Sequence, residues 1–213
     1  MPLPRGRFIT FEGGEGAGKS TQSLHLADRL RGCGLGVRLT REPGGTDGAE
    51  AIRELIVHGP VERWRPLSEL CLFMAARDDH LHRAILPALT SGEWVVCDRF
   101  ADSSRVYQGY AGGLGLALVD RLQEPLLGEH MPDLTLLLDL PVETGMARCA
   151  ERGAMARFEA KGRDYHEQVR QGFLALADTE PDRFVILDAA AGEAEVAAAV
   201  WRAVVAKFKL PTS

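Results

Sequence analysis

Between residues 13 and 20 the chain reads Gly-Gly-Glu-Gly-Ala-Gly-Lys-Ser, a complete G-x-x-x-x-G-K-S pattern, directly after the apolar run 8–11. A buried strand that stops at a glycine turn and feeds a helix aims several backbone N–H groups at one point. The helix start adds partial positive charge there. Gly13, Gly14, Glu15, Gly16, Ala17, Gly18, Lys19, Ser20 and Thr21 are therefore read as a polyphosphate cradle. Lys19 would reach the β- and γ-phosphates, and the Ser20 hydroxyl would take one position on a magnesium ion. Other charged side chains fall where predicted strands end: Arg41-Glu42, Asp98-Arg99 and Asp139. Asp98, closing an apolar strand, offers a second magnesium anchor, and Arg99 would aim a planar five-donor fork at a second phosphate. The alternative is an internal Asp98–Arg99 ion pair. Asp139 precedes Pro141 and reads as a helix cap, outside the site.

Phe73 and Arg77 stand four residues apart, on one face of a predicted helix. Together a ring and a donor-only guanidinium can read one base: the ring stacks, while the fork donates to a carbonyl and rejects an exocyclic amine. Such a pair would favour thymine or uracil over cytosine. Taken alone, the same two residues are a core ring and a surface charge.

The elements that must hold these groups follow from hydrophobic runs. Continuous apolar segments at 8–11, 37–40, 94–97, 134–138 and 184–187 predict strands covered on both faces, hence a mostly parallel sheet. Helical patterns occupy 20–31, 48–57, 66–90, 115–127, 142–152, 159–178 and 193–208; in the last, Val196, Val200 and Val204 form a packing stripe. Alternation of strand and helix predicts a doubly wound α/β fold over 1–213 as a single domain, with ligands at the strand C-terminal ends. The stretch 151–164 is least core-like. There Arg152, Arg157, Lys161 and Arg163 alternate with glycine and small residues, which suits a mobile basic flap or lid over about 150–164.

Composition narrows the classes. A net charge of −5 argues against a general nucleic-acid or membrane surface, so any anion must be gathered by locally clustered arginines. The 4 cysteines show no metal spacing and read as buried free thiols in a reducing cytosol. The 6 histidines offer no metal constellation; His80 and His82 read as surface or satisfied packing residues. The first residues lack an apolar core of signal-peptide length, and no run reaches the roughly 18 residues of a membrane span, so a cytoplasmic protein is expected. Guanine switches need an Asn-Lys-x-Asp base reader, and the chain contains no asparagine.

Four motifs, read together, carry a resemblance. Residues 11–21 (FEGGEGAGKST), 40–46 (TREPGGT), 73–77 (FMAAR), and 98–100 (DRF) with 103–109 (SSRVYQG) resemble those of bacterial thymidylate kinases, in order and spacing. The resemblance spans residue 8 to the last helix. It implies transfer of the γ-phosphoryl of ATP to dTMP, giving dTDP for dTTP synthesis, with magnesium and a homodimeric assembly. By the same resemblance Phe73 stacks on thymine and Arg77 bonds its carbonyl. Arg41 and Arg99 hold the acceptor phosphate, Glu15 meets the sugar 3′-hydroxyl, and Tyr107 crowds the 2′ position. Ser104 and Gln108 line the base pocket, and Arg148 lies where the family stacks an arginine on adenine. Some members carry a catalytic arginine inside the phosphate loop; Gly16 holds that place here, which moves the role to the flap, to Arg152 first and Arg157 second. Phe100 stands where tyrosine or histidine is common. The alternatives are another pyrimidine monophosphate or deoxynucleoside kinase, and a regulator that binds ATP with no acceptor. Arginines at two strand ends speak against the regulator, which has no need of a second phosphate cradle.

Overall fold

The computed structural model describes residues 5–151 and 157–210. Strands β1 (Phe8–Glu12), β2 (Val37–Arg41), β3 (Trp94–Asp98), β4 (Leu134–Asp139) and β5 (Phe184–Asp188) form one all-parallel sheet in the order β2-β3-β1-β4-β5. Each strand runs one residue beyond its apolar run, and each added residue is charged: Glu12, Arg41, Asp98, Asp139 and Asp188. The backbone still pairs there, but the side chain has reached the C-terminal edge, where the sheet opens. Charge is tolerated at that edge and useful there.

Coverage on both faces holds for the central strands, with β1 buried throughout. The edge strands differ from expectation. Along β2 every residue is at least partly exposed, and β5 exposes Ile186 at 47%, because an edge strand has a neighbour on one side only.

On one face, α1 (Lys19–Gly32) and α9 (Glu193–Phe208) set Leu26, Leu30, Val196, Val200 and Val204 against Ile9, Phe11, Leu136 and Leu138. Side chains of this size contribute about 1.5–3 kcal/mol each when fully buried. On the other face lie α2 (Asp47–Val57), α3 (Pro66–His80) and α4 (Leu86–Thr90), the last two joined by a wide π turn, Leu81–Ile85. That turn precedes Pro87, whose ring cannot sit in a regular helical ladder. The same side carries α5 (Ala101–Ser104), which continues as a second π turn, Arg105–Tyr110, then α6 (Leu116–Leu127) and α8 (Arg163–Thr179). Between β4 and the flap runs α7 (Val142–Glu151).

Some expectations need correction. The α5 segment and its π turn were not foreseen from periodicity, because Ala-Asp-Ser-Ser-Arg-Val-Tyr-Gln-Gly-Tyr carries no sustained apolar stripe. Helix α8 starts at Arg163 rather than 159, since Gly162, extended at φ −63° and ψ 162°, fixes its start. Cys97 and Cys149 are buried, but Cys33 and Cys71 are exposed. The histidines need no correction: His80 is a satisfied packing residue, buried and bonded to Thr40 and Glu42, and His82 lies on the surface. Asp139 is no helix cap: it accepts two bonds from the Arg170 guanidinium, at 2.7 and 2.9 Å. Among the described residues no group of three or more His, Cys, Asp and Glu side chains is placed to hold a metal, and no helix is long and apolar enough to cross a membrane.

Candidate active site

The phosphate loop leaves β1 at the middle of the sheet, where the crossovers on its two sides diverge. Helix α1 begins at Lys19, directly after Gly18, which adopts φ 86°, and its start has neither a capping side chain nor an acidic residue. Its leading N–H groups therefore face outward without a protein acceptor, as an anion site requires. Gly16 is equally constrained. Its φ is +71°, and a Cβ there would lie 2.3 Å from the Gly145 carbonyl oxygen, so an arginine inside the loop at this place would collide with α7.

Two cations converge on one point of the loop. Lys19 Nζ donates to the carbonyls of Gly13 (3.2 Å) and Gly14 (2.6 Å), and Arg99 Nη1 donates to the same Gly13 oxygen at 3.1 Å. Arg99 also donates to Glu15 at 3.0 Å, and the Tyr107 hydroxyl donates to that carboxylate oxygen at 2.9 Å. Burial alone would push the Glu15 carboxyl up, but Arg99 and Lys19 hold it down at about 2. Burial and the neighbouring Arg99 guanidinium bring the Lys19 ammonium down to about 8. Arg99 itself has φ 70°, a left-handed conformation that a non-glycine residue adopts only under constraint.

The constraint has a visible source. Glu12, fully buried at the end of β1, accepts from the backbone N–H groups of Phe100 (2.8 Å) and Ser103 (3.2 Å) and from the Ser103 hydroxyl (2.6 Å). This carboxylate caps α5 from a neighbouring strand and fixes the turn through Arg99. Burial, reinforced by Asp102, pushes its pKa up to about 7. A charged residue closing an apolar strand was the available signal for it, and in the sequence Glu12 stood out only as part of a motif.

Ser20 Oγ donates to Asp98 Oδ2, so the two magnesium candidates are in contact. A hydroxyl and a carboxylate are hard oxygen donors and fit that ion. They open on a cavity of about 320 Å³ lined by residues 15–21 with Arg41, Arg53, Phe73, Asp98, Arg99, Tyr107, Gln108 and Phe158. Arg41 is half exposed and donates to both carboxylate oxygens of Glu50, at 2.9 and 3.0 Å. Arg53, which sequence reasoning missed, donates to the Pro43 carbonyl at 2.7 Å. Phe158, from the flap, sets its ring 6.0 Å from Phe73 and 5.9 Å from Tyr107.

Arg77 and Ser104 lie one layer behind that lining. Arg77 is 1% exposed, neither the surface charge of the bland reading nor a wall of the cavity. It donates through Nε to Glu42 (2.8 Å), through Nη1 to Ser104 (3.1 Å) and Gln123 (2.7 Å), and through Nη2 to the Phe100 carbonyl (3.1 Å).

A second cavity, about 350 Å³, opens on the other side of the loop and is lined by residues 16–18, Thr21, Gln22, Arg148, Ala189 and Glu193. Arg148 is held there by the carbonyls of Gly16 (3.4 Å) and Ala189 (3.2 Å). Of the flap arginines, Arg152 lies outside the described residues. Arg157 is buried away from both cavities, its guanidinium bonded to Glu69 and to the carbonyls of Ile56, Pro60 and Val61.

A doubly wound sheet with a phosphate loop at its centre and a second cluster of arginines facing that loop defines a phosphate-loop nucleotide-binding protein of the nucleotide-kinase class. The family model for thymidylate kinase matches residues 11–200. A thymidylate kinase of Caulobacter vibrioides is 53% identical, covering 98% of this chain and 100% of its own length. One from a Bradyrhizobium species is 51% identical over 94% and 90% of the two chains. The crystal structure of thymidylate kinase from Ehrlichia chaffeensis superposes with a TM-score of 0.75 at 34% identity, covering 94% of this chain and 99% of that one. The chain belongs to the thymidylate kinase family.

Proposed function

We infer that this chain transfers the γ-phosphoryl group of ATP to the 5′-phosphate of dTMP, giving dTDP and ADP on the route to dTTP. The observation that carries the reading is the convergence of Lys19 and Arg99 on the Gly13 carbonyl, 3.2 and 3.1 Å away. One cation belongs to the donor cradle and the other to the acceptor side, so two polyanions would meet between them.

The chemistry asks little of the protein beyond alignment and charge. An acceptor phosphate with a second pKa of about 6 is largely dianionic at neutral pH, so no general base is needed. Lys19 and the loop amides hold the donor phosphates; Arg99 and Arg41 hold the acceptor phosphate, with Arg53 adding positive charge beside them. Magnesium would be held by Ser20 and Asp98, and when bound it neutralises charge on the β- and γ-phosphates. Arg148 would lie beside adenine on the donor side.

Phe73 offers its ring to the thymine face, Tyr107 crowds the 2′ position, and Gln108 meets the base edge. Arg77 has five N–H donors, four of them engaged as described; the fifth, on Nη2, is left for a base carbonyl that reaches past the cavity lining to this buried layer, with Ser104 holding the fork in register. Glu15, which accepts from Arg99 and Tyr107, would take the 3′-hydroxyl. The flap, about 150–164, excludes water, and Arg152 is the arginine proposed to reach the transition state; Arg157, buried on Glu69 and the carbonyls of Ile56, Pro60 and Val61, is not. The chain is expected to act as one domain, in the cytoplasm, as a homodimer.

A panel of acceptors with ATP and magnesium tests the assignment. dTMP is expected to be the best substrate, and a higher kcat/KM for dCMP or for unphosphorylated thymidine would overturn it.

A further inference from the structure

Glu69 has no place in the reaction just described, yet it is 5% exposed and fully engaged. Its Oε1 accepts from Gln108 Nε2 at 2.9 Å, and its Oε2 accepts from the Arg157 guanidinium. Gln108 lines the acceptor cavity. Arg157 closes the end of α2 and the following loop, donating from Nη1 to Ile56 (3.0 Å) and from Nε to Pro60 and Val61 (3.2 Å each). Next to Arg157 in sequence, Phe158 and Glu159 carry the flap into the same cavity wall.

We propose that Glu69 is a positioning residue that both orients the base-reading amide of Gln108 and anchors the flap through Arg157. A carboxylate only accepts, so the Gln108 amide must turn an N–H toward it. The carbonyl oxygen of Gln108 is then the end left for the cavity. A carbonyl acceptor suits a pyrimidine with a ring N3–H and repels one whose N3 carries a lone pair, which separates thymine from cytosine. An amide without that partner could present either end and would lose the discrimination. The same carboxylate neutralises a buried guanidinium that would otherwise lack a counter-charge, so base selection and flap seating share one group.

The inference rests on the acceptor site described above, and four variants separate the two. Glu69→Gln keeps the shape but removes the obligate acceptor: KM for dTMP should rise about tenfold, the size of one lost hydrogen bond to a charged group. The preference for dTMP over dCMP should fall with it, while KM for ATP stays put. Arg157→Lys keeps a cation at Glu69 but loses the fork on the loop carbonyls; kcat should drop with KM for dTMP retained. A merely structural role would instead lower the thermal midpoint and the active fraction without altering the dTMP to dCMP ratio. Should Glu69→Gln fail to fold, the paired Glu69→Leu/Arg157→Leu variant, which leaves no lone buried charge, is read in the same way. Gln108→Ala is the control. If it loses discrimination while Glu69→Gln keeps the parental ratio, the inference is wrong and the acceptor site stands; if Gln108→Ala changes nothing, both fall.

Discussion

Lys19 is a cation held partly discharged by its surroundings, with a pKa of about 8 set by burial and Arg99. Below that pH it is already charged and a phosphate ligand adds no proton. Above it, a bound polyphosphate favours the charged form, so binding must take up a proton and the affinity must weaken as pH rises. Calorimetry of an ATP analogue in buffers of different ionisation enthalpy should show net proton uptake at pH 9 and little at pH 7. Equal uptake at both would mean that Lys19 does not meet the phosphates. Lys19→Ala should nearly abolish turnover while dTMP still binds, because the acceptor side is built from other residues. Arg77→Ala leaves Glu42, Ser104 and Gln123 without their buried donor. It is therefore expected to lower the thermal midpoint as well as weaken dTMP binding, and an unchanged midpoint would show that the network relaxes without it.

Among the elements, the phosphate loop and α7 approach closely enough to exclude a side chain from either. Gly145 sits inside that helix, where alanine would ordinarily be favoured by about 1 kcal/mol. A Cβ at Gly145, however, would stand 2.4 Å from the Glu15 carbonyl oxygen. Gly145→Ala should therefore lower both stability and ATP affinity, against helix propensity; a raised thermal midpoint with unchanged affinity would refute the close approach. The strands and the principal helices were legible because apolar runs and stripes announce them, and strand ends were legible because charge follows apolarity there. The α5 turn was not. It is built on Glu12, a residue 88 positions before the Phe100 N–H that it caps, and no local pattern reports a partner at that separation. For the same reason Arg77 could be placed on the right helix face while its burial, which depends on Glu42, Ser104 and Gln123 from distant segments, could not.

For the whole molecule, Glu12 links stability to pH. Its carboxyl titrates at about 7 in the fold against 4.5 when exposed, so between those values the folded chain holds a proton that the unfolded chain has released. Stability from this group is complete below about 4.5 and is lost as pH rises through about 7. Glu12→Gln, which retains an acceptor for Phe100 and Ser103, should show a shallower fall in thermal midpoint between pH 5 and 8 than the parent. Parallel profiles would assign the titration to another group. Glu15 acts in the opposite window: held at about 2, it contributes stability present above about 4.5 and lost under stronger acid.

The two cavities share Gly16, Ala17, Gly18 and Thr21 and otherwise have separate walls. On the proposed assignment each nucleotide has its own doorway onto the crest of β1, and neither blocks the other's approach. Initial-rate plots should intersect in a sequential pattern, with either substrate able to arrive first, and a single molecule joining adenosine to thymidine through a phosphate chain should straddle the loop and compete with both.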